Sequence, residues 1–235
     1  MQSPFYTNPM LKLRHTDTDL CIEAGVDEAG RGCLWGPLYA AATIWPPMEE
    51  LSDEQKQLLP QIRDSKKVSE KRRTLLAAQI QDLALDWSIG IVDPAEIDEL
   101  GMTKANQLAF KRALDGLHVE PERILIDGCL SVYDPPWSMK EQIVQPEADG
   151  TYIPVAAASI LAKTLRDAWV TDFCDKNQHL AEVYDLAKNK GYGTLKHRTG
   201  ILQSGATSLH RQLFLRKLFS QTLVQEDIKE LSGTL

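Results

Sequence analysis

The chain has 235 residues, 43% hydrophobic and 25% charged, with a formal net charge of -7. That supports a sizeable core in one large domain or two small ones, and the four scattered cysteines (Cys21, Cys33, Cys129, Cys174), with no C-x-x-C pair, exclude a disulfide framework or zinc cluster and read as small core hydrophobes. No apolar run approaches the roughly 20 residues that cross a bilayer and the start "MQSPFYTNPMLKLRHTDTD" lacks a secretory pattern, so a cytoplasmic protein without a membrane partner is expected.

In chain order, a polar stretch through residue 20 precedes "LCIEAGVDE" and "GPLYAAATIW", two strands joined by a glycine-rich loop. "ELSDEQKQLLPQIRDSKKVS" is a polar connection with one short helix. Ser69 caps a helix over "SEKRRTLLAAQIQDLAL", whose apolar stripe is read as Leu75, Leu76, Ala78, Gln79, Ile80 and Leu83. "DWSIGIV" is a strand, Asp93-Pro94 opens a helix pair broken at Gly101, and "RILIDG" is a compact strand ending at Asp127. "EQIVQP" makes a fifth strand and "VAAASILAKTLRDAWVTDFC" an alanine-rich helix. Helices separated by "NKGYGT" and "QSGATS" complete the chain. Strands and helices alternate early and helices dominate late, which predicts an α/β domain with a helical C-terminal part.

The net charge argues against a nucleic-acid partner, and its distribution reverses that. Residues 63–73 carry six lysines and arginines against two acids, and residues 188–217 carry seven with no acid. Two such runs in an otherwise acidic chain point to a polyanion site.

Four acids fall at element boundaries: Asp27 and Glu28 after the first strand, Asp127 after the fourth, and Asp149 before the alanine-rich helix. Singly, each reads as ordinary turn polarity. Together in the crevice at the strand ends of an α/β sheet they would repel one another, unless a hard divalent cation such as Mg2+ took their oxygens as ligands. Two such ions about 4 Å apart suit in-line phosphoryl displacement. Gly30 and Gly32 flank Arg31, so main-chain amides there can approach a hydroxyl or phosphate oxygen. The spacing is neither a P-loop nor a dinucleotide fingerprint.

The strings "GVDEAGRGCLWGP", "DSKKVSEKRR", "ILIDG", "AAASILAKTLRD" and "KGYGTLKHRTGILQSGATSLHR", in this order from about residue 24 to residue 214, resemble the type 2 ribonuclease H family, in its ribonuclease HII branch. The resemblance implies an α/β, ribonuclease H-like fold: a mixed sheet flanked by helices, with a helical C-terminal portion. It divides the chain into an N-terminal extension (1–20), a catalytic domain (21–185) and a helical part packing on it (186–235). It implies an endonuclease that hydrolyses the RNA strand of RNA–DNA hybrids and cuts 5′ of ribonucleotides embedded in duplex DNA. The cofactor would be Mg2+ or Mn2+ and the ends 3′-hydroxyl and 5′-phosphate. By position, Asp27, Glu28, Asp127 and Asp149 become the catalytic metal-binding acids. Gly30, Arg31 and Gly32 become the loop that reads the ribose 2′-hydroxyl, Tyr192 the ring stacked at the sugar, and Ser65, Lys66 and Lys67 the phosphate contacts.

The sequence departs from the family pattern at Glu147-Ala148-Asp149, where Lys-Gly-Asp is usual, at Asn189, where a histidine is common, and after His210-Arg211, where "QLFLRK" follows. Arg166 and Asp167 close the helix "SILAKTLRD"; Asp167 is a rival fourth acid, with a structural ion pair to its neighbour Arg166 as its preferred role. Trp35 either lines the groove or packs. A monomer is the default. An integrase or junction resolvase on the same kind of fold explains neither "DEAGRG" nor "DSKK", and a noncatalytic hybrid-binding protein would gain by losing its mutually repelling acids.

Overall fold

The computed structural model describes residues 11–16, 20–63, 65, 68–216 and 218–220. Five strands, β1 (Glu23–Ala29), β2 (Leu38–Ile44), β3 (Asp86–Val92), β4 (Arg123–Asp127) and β5 (Glu141–Gln145), form one sheet in the order β3-β2-β1-β4-β5. The pairs β1–β2 and β2–β3 are antiparallel, whereas β1–β4 and β4–β5 are parallel, so the sheet is mixed as expected. The helices include α1 (Asp53–Leu58), α2 (Glu70–Leu83), α3 (Pro94–Leu100), α4 (Met102–Asp115), α5 (Ile153–Lys176), α6 (Gln178–Tyr184), α7 (Leu186–Asn189) and α8 (Leu195–Ser204), and residues 212–216 and 218–220 are helical as well. Their starts carry the expected signals. The Ser69 hydroxyl accepts from the Arg72 N–H, Glu96 reaches back to the Asp93 N–H ahead of Pro94, and Gly101 separates α3 from α4.

Strand alternation places the two faces of β1 in different layers. Ala24 and Val26 join Ala40, Ala42, Phe110, Leu114 and Ile126 under α4. Ala29, on the other face, joins Leu76, Ile80, Ala156 and Ile160 under α2 and α5. A Cβ on Gly25 would lie 2.2 Å from the Pro154 carbonyl carbon, so the glycine is what lets the start of α5 lie against β1. The second half of α5 runs on into a third core, where Val170 and Cys174 pack with Tyr184, Leu186, Ile201 and Leu215. Trp35 is buried there, 5.4 Å from the Trp169 ring and 4.8 Å from Phe173, so it packs and does not line a groove.

Three expectations change. The buried stripe of α2 is Arg73, Leu76, Ala77 and Ile80, while Leu75 is 53% exposed, because the helix turns Arg73 inward to Asp167 and leaves Lys71 and Arg72 outside. Cys129 is exposed, so only Cys33 and Cys174 serve as core residues. The polar start is not wholly an extension: Lys12 exchanges main-chain hydrogen bonds with Thr151 and Ile153, and Leu13 is buried against the first core.

Candidate active site

Val26 of β1 sits beside Ile126 of β4 in parallel register, so the next residues, Asp27 and Asp127, come side by side, Asp127 closing β4 while β1 continues past Asp27 to Ala29 and not, as expected, ending at Asp27 and Glu28. They open onto a cleft of about 240 Å³, whose walls also include Glu28, the Gly30–Gly32 loop, Ser65, Arg73, Ser159, Lys163 and Tyr192. Asp27 points from β1 toward α5, and the side chain is only 5% exposed. Burial pushes its carboxyl well above the ordinary carboxylate range, and the charges of Glu28 and Asp127 push the same way. The Ser159 hydroxyl and the Glu28 N–H, 2.6 Å from Oδ1, pull in the opposite sense. The Ser65 hydroxyl lies 3.0 Å from that of Ser159, so Ser65 supports Asp27 from behind.

Asp127 is fixed differently. Its Oδ1 accepts the Ala148 N–H at 2.7 Å, which ties β4 to the short 3-10 turn Ala148–Gly150 that carries Asp149. Asp149 is buried on that turn, off the cleft wall that the other three acids share. Among the described residues, no three histidine, cysteine, aspartate or glutamate side chains stand close enough to form a ready-made metal cage. Three carboxylates within one cleft are nevertheless a surplus of hard oxygen donors, which matches the needs of a divalent cation such as Mg2+ or Mn2+.

Two cations in the cleft were not singled out as site residues by the sequence reading, although Arg73 belongs to the first basic run. Asp167 takes Arg73 Nη2 at 3.1 Å and Lys163 Nζ at 2.7 Å, so it is the centre of a buried ion triad that aims both cations at the cleft. An ion pair was expected of Asp167, but with its neighbour Arg166 at a helix end; the partners are instead Arg73 and Lys163, because α5 continues to Lys176 and the Arg166 guanidinium turns to main-chain carbonyls. The spacing of Lys163 and Asp167, one helical turn apart, was visible in the sequence; the partner 94 residues away on α2 was not.

The glycine loop is held from inside. Arg166 and Arg211 are fully buried, and every hydrogen bond of their guanidinium groups goes to a main-chain carbonyl. Gly30 has φ +88°, and a Cβ there would meet Arg166 Nε at 2.1 Å, so the fold itself demands glycine at this position. Arg31 is half-exposed and lies 3.8 Å from Glu28. Tyr192, 41% exposed, stands across from the loop with Lys163 Nζ 5.4 Å from its ring centre. Of the expected phosphate contacts, Ser65 is buried in the wall, and Lys66 and Lys67 lie outside the described residues.

The chain has known relatives. Residues 24–222 match the family model described as Ribonuclease HII. The chain belongs to the ribonuclease HII family. It is therefore an endoribonuclease, a hydrolase of the RNA strand in RNA–DNA hybrids. The Ribonuclease HII of Bacteroides thetaiotaomicron is 45% identical over 202 residues, covering 86% of this chain and 93% of that protein. Among solved structures, the ribonuclease H2 of Pyrococcus horikoshii OT3 superimposes with a TM-score of 0.65 at 25% identity, over 85% of this chain and 97% of that one. Bst-RNase HIII, solved in complex with Mn2+, shares the fold with a TM-score of 0.58 at 20% identity, over 84% of this chain and 65% of that one.

Proposed function

We propose that this ribonuclease HII cuts 5′ of ribonucleotides embedded in duplex DNA as well as within longer hybrids, leaving 3′-hydroxyl and 5′-phosphate ends. One observation carries the reading: Asp27, Glu28 and Asp127 share a cleft with the Gly30–Gly32 loop and the Tyr192 ring. Catalytic carboxylates thus lie within reach of groups suited to feel a single sugar.

The carboxylates of Asp27, Glu28 and Asp127 would hold divalent metal, with Asp149, on the turn that anchors Asp127, as the fourth acid. The Mn2+ bound by Bst-RNase HIII is consistent with such a donor set. A pair of bound Mg2+ or Mn2+ ions supplies an activated water and charge stabilisation at the departing 3′-oxygen. The chain's own residues do the rest. Arg73 and Lys163 offer positive charge to backbone phosphates beside Ser65; the phosphate contacts expected of Lys66 and Lys67 fall on residues outside those described. Ser159 steadies Asp27 through its hydroxyl.

Gly32 supports the assignment of the sugar sensor. Its backbone is ordinary, and a Cβ there would meet nothing within 4 Å, so protein packing does not require glycine. A bare main chain suits a ligand that comes close to its amide, and the 2′-hydroxyl is the group that distinguishes RNA from DNA at one nucleotide. Tyr192 would offer its ring face to the neighbouring sugar.

The test is a duplex carrying one ribonucleotide, incubated with Mg2+ or Mn2+. A nick on the 5′ side of the ribonucleotide with a 5′-phosphate end is expected. A 2′,3′-cyclic phosphate on the product would overturn the reading, because the 2′-hydroxyl would then be the nucleophile.

A further inference from the structure

The Arg211 side chain has no exposed surface, and its partners are unusual for a buried cation. Its Nη1 donates to the carbonyls of Gly30 at 2.7 Å and Arg31 at 3.1 Å, and its Nε donates to the Gly36 carbonyl at 2.9 Å. Its own N–H donates to the Leu34 carbonyl at 2.8 Å. Nη2 is buried and has no hydrogen-bond partner among the described residues. Taking a charge out of water without a carboxylate partner is costly, so this arrangement is poor as a source of stability. What it does provide is geometry.

In a trans peptide the C=O and N–H point in opposite directions. The carbonyls of Gly30 and Arg31 both turn inward to one nitrogen of Arg211, so the N–H groups of the next residues, Arg31 and Gly32, both turn away from it. The loop itself is part of the cleft wall. Two adjacent amides aimed the same way form a concave donor pair suited to an oxygen. We propose that Arg211 is a positioning residue for ribose recognition, fixing the two peptides that present the N–H groups of Arg31 and Gly32 to the 2′-hydroxyl. This rests on the reading of the Gly30–Gly32 loop as the sugar sensor. Lysine cannot replace the guanidinium, since one ammonium does not span the Gly36 carbonyl and the Gly30–Arg31 pair at once.

The test compares wild type with Arg211→Lys. Folding is followed by circular dichroism and thermal midpoint. Affinity is measured in Ca2+ for a duplex with one ribonucleotide and for the all-DNA duplex of the same sequence. The ratio of these two affinities should fall about tenfold in the variant, the worth of one hydrogen bond to a hydroxyl. The affinity for all-DNA duplex should hold, and kcat/KM on the ribonucleotide duplex should fall with the ratio. A folded variant that keeps the wild-type ratio, while wild type still prefers and nicks the ribonucleotide duplex, sinks the role of Arg211 alone. A wild type that neither prefers nor nicks that duplex sinks the sugar-sensor reading along with it. Should Arg211→Lys fail to fold, the wild-type amide resonances decide: those of Arg31 and Gly32 should move with the ribonucleotide duplex and not with all-DNA duplex. An equal response to both duplexes overturns the proposal.

Discussion

His210 and His197 face each other through their Nε2 atoms at 3.2 Å, both buried. The Thr207 N–H donates to His210 Nδ1 at 2.9 Å, so that nitrogen accepts and the proton of His210 sits on Nε2, donating to His197. His197 then carries its own proton on Nδ1 and donates to the Tyr192 carbonyl, 2.9 Å away. Two neutral imidazoles thereby connect the 207–210 segment to the turn that bears Tyr192.

This chain gives a pH dependence. Burial pushes His210 down to about 4, the His197 charge adding to it, and burial lowers His197 as well. A histidine whose folded value lies below the unfolded one favours the unfolded state as it protonates. Stability is therefore complete above the ordinary value of 6.5 and is lost as pH falls from there toward about 4. Between pH 7 and pH 5 the loss from His210 should be on the order of 2 kcal/mol. Urea midpoints at the two pH values check it, and His210→Gln should show a smaller difference between them. Equal midpoints in wild type at pH 7 and pH 5 would contradict the argument.

The two glycines of the loop should separate fold from function. Gly30→Ala meets a positive φ and the Arg166 side chain, so a loss of about 2 kcal/mol or more in stability is expected. Gly32→Ala has open space and an ordinary backbone, so stability should stay within about 0.5 kcal/mol. Its cost should appear as lost cleavage at single ribonucleotides, where the new methyl stands in the way of the sugar. Denaturation curves and nicking rates on the same preparations distinguish the two.

Much of the fold was legible because local signals agreed with tertiary need. Ser69, Asp93-Pro94 and Gly101 mark helix ends wherever the helices pack, and the apolar runs of β1, β2 and β4 are buried strands in any α/β sheet. Asp127 was readable as a strand end, whereas Asp27 lies within β1, and the β1–β4 register brings the two together. Charge was less legible, since a sequence counts cations without showing which are buried. Of the acid-free run 188–217, Arg211 is inside the protein, Lys190 reaches Thr171 and Lys196 pairs with Asp185. In the first run, Arg73 is buried against Asp167. Part of the positive charge assigned to a polyanion therefore holds the protein together.

Asp27 should show a trade of stability for chemistry. Its carboxyl is buried beside two other acids, which disfavours the ionised form in the folded state. Asp27→Asn removes that repulsion, and a gain of about 1 kcal/mol, or about 3 °C in Tm for a chain of this size, is expected in the absence of divalent metal. Added Mg2+ should raise the wild-type Tm and leave that of the variant nearly unchanged. Cleavage should vanish while hybrid binding persists. A variant that still cuts would remove Asp27 from the site.

Asp167→Asn asks whether that acid serves structure or metal. The side chain is 7% exposed and its two cationic partners are largely buried, so losing the charge leaves them uncompensated, at about 3 kcal/mol in stability. The molecules that remain folded should still nick a ribonucleotide duplex, because Asp167 lies behind Arg73 and Lys163 and is not on the cleft wall. Complete loss of cleavage in protein shown to be folded would instead place Asp167 among the metal-binding acids.

Tyr192 should act through its ring more than its hydroxyl. Burial pushes the hydroxyl up to about 12, so it stays protonated through the working range and imposes no ionisation of its own. The ring face, with Lys163 5.4 Å from its centre, is the surface available to a sugar or base. Stacking of this kind is worth about 1 to 3 kcal/mol, so Tyr192→Ala should lower kcat/KM on a single-ribonucleotide duplex by about ten- to a hundredfold. Tyr192→Phe should stay within a few-fold of wild type with an unshifted pH profile. Were Phe as damaging as Ala, the hydroxyl beside Cys33 would be the working part and the stacking argument would fail.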